Sequence, residues 1–148
     1  MLKGIDPLLN ADVLHALRAM GHGDELVLCD TNFPAESTAR ATVLGRLLRI
    51  DASAARAARA VLSVMPLDSF VDAPACRMEL VGQPQEIPEV QREVQAEVDA
   101  AEGRSWPLAG IERFAFYDRA KQAYAVLATS ERRFYGCFIF KMGVIPPE

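Results

Sequence analysis

Two histidines, three cysteines and no long apolar run set the first limits on this chain of 148 residues. No stretch approaches the roughly 18–20 consecutive apolar residues that a membrane span requires, so no membrane is expected as a partner. The start, Met1-Leu2-Lys3-Gly4-Ile5-Asp6, lacks the basic region followed by an apolar region that marks a secretory leader. Cys29, Cys76 and Cys137 are odd in number, show no CxxC spacing and each sit inside an apolar stretch. They read as buried, reduced thiols of a cytoplasmic protein, not as disulfides or zinc ligands. Lys and Arg total 16 against 20 Asp and Glu, a net charge of −4, and the basic residues are scattered. Nucleic acid, which demands clustered cations, is therefore not expected. No GxGxxG, no GxxxxGK followed by Ser or Thr, and no GxSxG occurs, so nucleotide-binding and nucleophile-elbow fingerprints are missing. No histidine cluster suggests a metal.

Apolar residues make up 51% of the chain and charged residues 24%, the balance of a folded globular protein. The length suits one domain, residues 1–148, and no Pro/Gly/Ser-rich linker divides it. Asn10 is placed to cap a helix carrying Val13, Leu14, Leu17 and Met20 at helical spacing, with Gly21 supplying a left-handed terminator. Leu26 to Cys29 has the continuous apolar run of a strand buried on both faces. Thr31 to Ser37 is turn-rich and reads as a loop. Leu44 to Ile50 is a strand candidate, and Ser53 caps a helix over Ala54 to Val64 that Pro66 ends. Residues 76–81 alternate like a half-exposed strand. Glu89 to Glu102 is a charged helix with Val90, Val94 and Val98 four apart. After the break at Gly103 to Pro107 come a helix over Glu112 to Lys121, a strand over Tyr124 to Ala128, a turn, and a last strand over Cys137 to Phe140. This alternation predicts an α/β fold: a three-layer αβα domain with a mostly parallel sheet. The short connection between the last two strands predicts an antiparallel C-terminal hairpin.

The most unusual local string is Gly21-His22-Gly23-Asp24-Glu25. Two glycines leave the imidazole uncrowded, and histidine can take and return a proton near neutral pH. A solvated turn histidine has the same spacing. His15, in mid-helix, reads as a surface residue. Asp30 closes a buried strand, and in open parallel sheets ligands bind outside the carboxyl ends of strands. It could accept hydrogen bonds from sugar hydroxyls, or open an Asx turn. Arg113-Phe114-Ala115-Phe116-Tyr117 sets a cation among aromatics. That suits a sugar, with its apolar C–H face and polar rim, and equally suits core packing with a snorkelling Arg. Tyr135-Gly136-Cys137 puts a phenol beside a flexible residue.

Together these strings resemble the RbsD/FucU family of sugar mutarotases, nearly end to end. The resemblance rests on Met1 to Ile5, Gly21 to Glu25, Asp30 with Phe33-Pro34-Ala35, Arg113 to Tyr117, Tyr135-Gly136 and Lys141-Met142-Gly143-Val144. The Arg113 to Tyr117 string favours the L-fucose branch over the D-ribose branch. The resemblance implies exchange of the α and β anomers of a free monosaccharide, with His22 as proton donor and acceptor. It implies that Asp30 and Arg113 hold the sugar and that Tyr135, with the backbone around Gly136 and Cys137, completes the pocket from a neighbouring subunit. It also implies a ring-shaped homo-oligomer, typically a decamer, and no cofactor. Two departures stand out: Cys137 replaces the usual Asn, and Asn32 and Glu36 stand where the fucose branch often carries histidines. Two other readings share these residues: a sugar-binding module without catalysis, and a structural or regulatory ring subunit whose aromatics form the subunit interface. A geometric difficulty is also visible, because a straight strand from Leu26 to Cys29 spans roughly 13 Å and His22 and Asp30 lie beyond its two ends; either the Gly21–Glu25 turn folds back or the pocket combines different subunits.

Overall fold

The computed structural model describes all 148 residues. The elements run α1 (Ala11–Ala19), β1 (Glu25–Cys29), α2 (Ala35–Ala41), β2 (Leu48–Arg49), α3 (Ala54–Leu62), β3 (Ala75–Met78), α4 (Glu89–Glu102), β4 (Ala109–Ile111), α5 (Arg113–Lys121), β5 (Ala125–Ala128) and β6 (Phe138–Lys141). They form a single α/β domain around one six-stranded mixed sheet of order β2-β5-β1-β6-β3-β4. β6 pairs antiparallel with β1 and β3, while the other pairings are parallel. No helix is long and apolar enough to cross a membrane.

Alternation along the strands builds the layers. Leu26 and Leu28 of β1, with Phe138 and Phe140 of β6, face the core under α1, α3 and α4. Val27, Cys29 and Ile139 face the opposite core under α2 and α5. Phe138 and Phe140 are wholly buried, and a side chain of that size contributes about 1.5–3 kcal/mol when taken out of water. The Asn10 side chain accepts a hydrogen bond from Val13 N, and Ser53 accepts one from Arg56 N, so α1 and α3 begin where the cap residues stand. Gly103, at φ 65°, ends α4.

The expected C-terminal hairpin does not form. β6 is antiparallel, but it lies between β1 and β3, and β1 separates it from β5. The reason lies in the connection, which crosses the carboxyl end of β1. Thr129 donates to Cys29 O through both its N–H (3.0 Å) and its hydroxyl (2.8 Å), and Thr31 N donates to Glu131 O at 2.8 Å. Other differences are local. Part of the expected loop Thr31–Ser37 is the start of α2, a helix without an apolar stripe because it buries only small residues, Thr38 and Ala39. The strand expected over Leu44 to Ile50 shrinks to the edge strand β2, and the three-residue β4 falls in a segment with no strand signal. β3 is buried throughout, since Arg77 turns inward to Gln91. The left-handed residue after α1 is Gly23 (φ 87°), not Gly21, because the chain leaves α1 extended at Met20 and turns two residues later.

Glu131 locks the crossing connection to the helical layer. It is 5% exposed, accepts from Ala54 N at the start of α3 (3.2 Å), and takes Arg133 Nε at 2.8 Å. The Arg133 guanidinium, first among the causes, holds the Glu131 carboxyl down at about 2. A carboxyl depressed in the folded state stabilises above its unfolded value, and that stability is lost as pH falls through the folded one. Glu131→Gln should therefore lower stability by about 2 kcal/mol at neutral pH. In thermal melts at a series of pH values, the deficit should shrink progressively below the ordinary glutamate range toward pH 2.

Candidate functional site

β1, an interior strand, delivers Asp30 to the carboxyl end of the sheet, and the crossing connection meets it there. Asp30 is 4% exposed. Its Oδ1 accepts from Asn32 N (2.9 Å) and Phe33 N (3.1 Å), an Asx turn that launches α2. Its Oδ2 accepts from Gly136 N at 3.0 Å and lies 3.5 Å from the Cys137 sulfur. Burial first, then the Asp30 charge, pushes the Cys137 thiol well up, so the sulfur keeps its proton and donates it to Asp30. Gly136 must be glycine for space: a Cβ there would sit 2.9 Å from Glu131 Cγ and 3.3 Å from Asp30 Cβ.

Beside this knot lies a cavity of about 290 Å³ lined by Asp30, Asn32, Phe33, Met78, Arg113, Tyr117, Phe134, Tyr135 and Cys137. That volume suits a small ligand. α5 divides its residues by helical phase. Phe116 goes to the core, while Arg113 and Tyr117, four apart, share the pocket face, with Arg113 Nε donating to the Tyr117 hydroxyl at 3.0 Å. The Arg113 guanidinium lies 5.5 Å from the Tyr117 ring centre and forms no ion pair with a carboxylate. Tyr135 is the one residue other than glycine with positive φ (61°), a conformation that costs roughly 1–2 kcal/mol and must be held by its surroundings. An open groove of about 720 Å³ on the other flank of Asp30 is lined in part by Glu36, which pairs with Arg40 at 3.5 Å. Of the two unusual loop residues, Asn32 thus faces the cavity and Glu36 the groove.

Asp30, Arg113, Tyr135 and Cys137 are therefore brought together within one chain, with Gly136 in the knot beneath them. Tyr135 lines the cavity beside Asp30 of its own chain, where Gly136 N is tied directly to the Asp30 carboxylate. His22 is the residue that stands apart. It lies before β1, at the strand's opposite end, in a turn where Gly21 N donates to Asp24 Oδ2 (2.7 Å) and Gly23 N to Met142 O (2.9 Å). Its Nε2 is 3.1 Å from Asp68 Oδ1, and its ring lies 5.5 Å from that of Phe70. Asp68 is 3% exposed and sits on a strap held to the end of β6 by Asp68 N to Lys141 O and Gly143 N to Pro66 O. The Phe70 N–H, and then His22, hold the Asp68 carboxyl below its usual range. With Asp68 ionised, a neutral His22 that donates its Nε2–H to Asp68 Oδ1 keeps a free lone pair on Nδ1. His22 is 46% exposed at its side chain and free to meet a ligand. His15 takes no part in either group.

The sequence profile of the RbsD / FucU transport protein family matches residues 3–145. The chain belongs to this family. The fucose mutarotase of Homo sapiens is 43% identical over 97% of this chain and 94% of its own length. The crystal structure of the Streptococcus pneumoniae fucose mutarotase in complex with L-fucose shares 34% identity, covers 98% of this chain and all of that one, and superposes with a TM-score of 0.87. A further crystal structure, 63% identical over 99% of this chain and 97% of its own, superposes with a TM-score of 0.97.

Several residues of the two clusters carried no signal in the sequence. Met78 and Phe134 reach the cavity from separate elements, and Asp68 reaches His22 across 46 positions. Only the pairing of β3 and β6 and the strap beside β6 bring them in. Asp30→Ala would strip the acceptor from three backbone N–H groups and a thiol. It should cost about 3 kcal/mol of stability, as measured by denaturant unfolding, beyond any loss of ligand.

Proposed function

We propose that this protein interconverts the α and β anomers of a free monosaccharide, L-fucose foremost, by general acid–base catalysis through His22. As a member of the family with full-length kinship to mutarotases, it is a carbohydrate isomerase; the sugar and the proton-transfer residue are the finer parts of the reading. The observation that carries it is the His22–Asp68 pair, a proton-exchanging group with one nitrogen engaged by a carboxylate and the other free. Mutarotation asks for little more. A base takes the proton of the anomeric hydroxyl, a proton is delivered to the ring oxygen, and the C1–O5 bond breaks. The aldehyde turns, and ring closure reverses each transfer. The enzyme ends in its starting protonation state. No covalent intermediate is needed.

Binding falls to the cavity at the other end of β1. Arg113, Asn32 and the phenols of Tyr117 and Tyr135 offer polar contacts to hydroxyls, while Phe33, Phe134 and Met78 offer apolar surface to the C–H face. The five residues of β1 span roughly 16 Å, so we read His22 and the Arg113 cavity of one chain as too far apart for one sugar to touch both. We therefore read the site as shared between protomers of a ring-shaped homo-oligomer, a decamer by family resemblance. Exposed apolar residues support this at both ends of the strand. Phe70, Val71, Val144 and Ile145 cluster by sequence and hydrogen bonding with the His22 strap; Phe114, Phe134 and Val81 flank the cavity. Three free, buried thiols accord with a cytoplasmic setting.

Saturation-transfer proton NMR on the anomeric signals of L-fucose, with D-ribose in parallel, tests the reading. Catalytic amounts of the protein should speed α–β exchange, and His22→Ala should remove roughly 10²–10⁴-fold of the catalysed rate. Asp68→Asn should lower the rate without abolishing sugar binding. A protein that binds L-fucose yet leaves its exchange rate unchanged would be a binding module instead.

A further inference from the structure

α4 carries one polar side chain that is completely buried, Gln91. Its Nε2 donates to Met78 O at 2.7 Å and to Tyr135 O at 3.0 Å. Its Oε1 faces Arg77 Nη1 at 3.4 Å. Arg77 is 6% exposed and has no carboxylate partner; its Nη2 donates to Pro84 O at 2.9 Å, and its Nε finds no partner at all. The same loop returns to the cavity, where Val81 N donates to the Tyr135 hydroxyl at 3.2 Å. Tyr135 is thus gripped at both ends: by Gln91 at its carbonyl, and by the loop at its phenol.

A buried amide is expensive unless each of its bonds is made, and such a group specifies one arrangement of what surrounds it. Here the arrangement is the left-handed backbone of Tyr135, which no glycine makes easy. Gln91 reaches Met78 and Tyr135 together, two residues that line the cavity from different elements. An apolar side chain of equal size would fill the space and leave both carbonyls without a donor. Arg77, in turn, needs an oxygen acceptor because it has no anion, and Gln91 Oε1 and Pro84 O supply two.

We propose that Gln91 is a positioning residue for the sugar site: it fixes Tyr135 in its left-handed conformation and, through Arg77, couples the 79–88 loop to the shape of the cavity. The proposal deepens the sugar-site reading of that cavity and rests on it. Gln91 touches no ligand itself. Its effect passes through Tyr135 and Met78, and a displacement of about 1 Å in a contact of this kind can cost up to roughly 100-fold in rate.

The test compares wild type with Gln91→Glu and Gln91→Leu. Glu keeps an oxygen for Arg77 and loses the two donated bonds; Leu loses everything but volume. Each protein is assayed for L-fucose exchange at several sugar concentrations, for thermal midpoint, and for amide hydrogen exchange by mass spectrometry across segments 79–88 and 131–137. Gln91→Glu should lower kcat/KM roughly 10- to 100-fold. It should also speed amide exchange in those two segments while the β1 and β5 segments stay protected. Loss of activity with uniform loss of protection across the sheet would make Gln91 a structural residue only and overturn the proposal. So would kcat/KM within twofold of wild type in both variants with protection unchanged. If the wild type itself shows no exchange with L-fucose, the mutarotase reading fails. The hydrogen-exchange pattern of segments 79–88 and 131–137 then decides the positioning claim without reference to activity.

Discussion

The carboxylate of Asp30 is the contact on which the rest depends. Four donors converge on its two oxygens, two from the turn that starts α2 and two from the approach to β6. The sheet needs this because its last strand does not pair with the one before it. β6 must be carried over the end of β1 and dropped in on the far side, running backwards. A chain crossing a strand end has no ladder to satisfy its amides, and Asp30 with Glu131 satisfies them. The cavity is a consequence, since it lies where the tied segment holds Tyr135 and Cys137 beside the start of α5. Asp30 is accordingly both turn former and pocket wall, and its lone pairs are largely spent within the protein. Under the proposed function the polar reach toward a sugar passes to Arg113, Asn32 and the two phenols.

In the proposed reading this arrangement separates binding from chemistry. The groups suited to hold a ligand lie at the carboxyl end of β1, the ordinary place for a ligand on a parallel sheet. The group suited to move a proton lies at the amino end, where His22 leans on a buried aspartate and a phenylalanine. Neither cluster has both functions. A second copy of the chain is the economical way to unite them, and the exposed aromatic residues at each end are surfaces that a monomer would have little reason to keep.

Much of the fold was legible where local rules suffice. Asn10, Ser53 and Gly103 mark helix ends by cap chemistry, and the run Leu26 to Cys29 announces a central strand. Legibility failed where the deciding partner is distant. The alternation at 76–81 looks half exposed because nothing nearby reveals that Arg77 will be covered by α4 and met by Gln91. The placement of β6 was missed because a short connection favours a hairpin, and only the hydrogen bonds of Thr129 and Glu131 at the end of β1 disfavour one. For the site, single residues with unusual neighbours could be read: His22 between glycines, Arg113 among aromatics, Tyr135 beside Gly136. Their supports, Asp68 and Gln91, are ordinary residues in ordinary strings, and only tertiary contact distinguishes them. That His22 and Asp30 fall at opposite ends of one strand, by contrast, follows from their places on either side of the run Leu26 to Cys29, and the structure keeps it.

If one sugar site draws His22 from one protomer and the Arg113 cavity from another, lesions in the two must complement each other when subunits are mixed. His22→Ala and Arg113→Ala chains would be prepared separately and as a co-expressed equal mixture, and L-fucose anomer exchange measured for each. Each variant alone should have low activity, and the mixture should recover about a quarter of the wild-type rate, because random assembly pairs an intact His22 with an intact cavity at that fraction of interfaces. A mixture no more active than its components, in oligomers shown to contain both chains, would contradict the shared site and return His22 and Arg113 to separate roles.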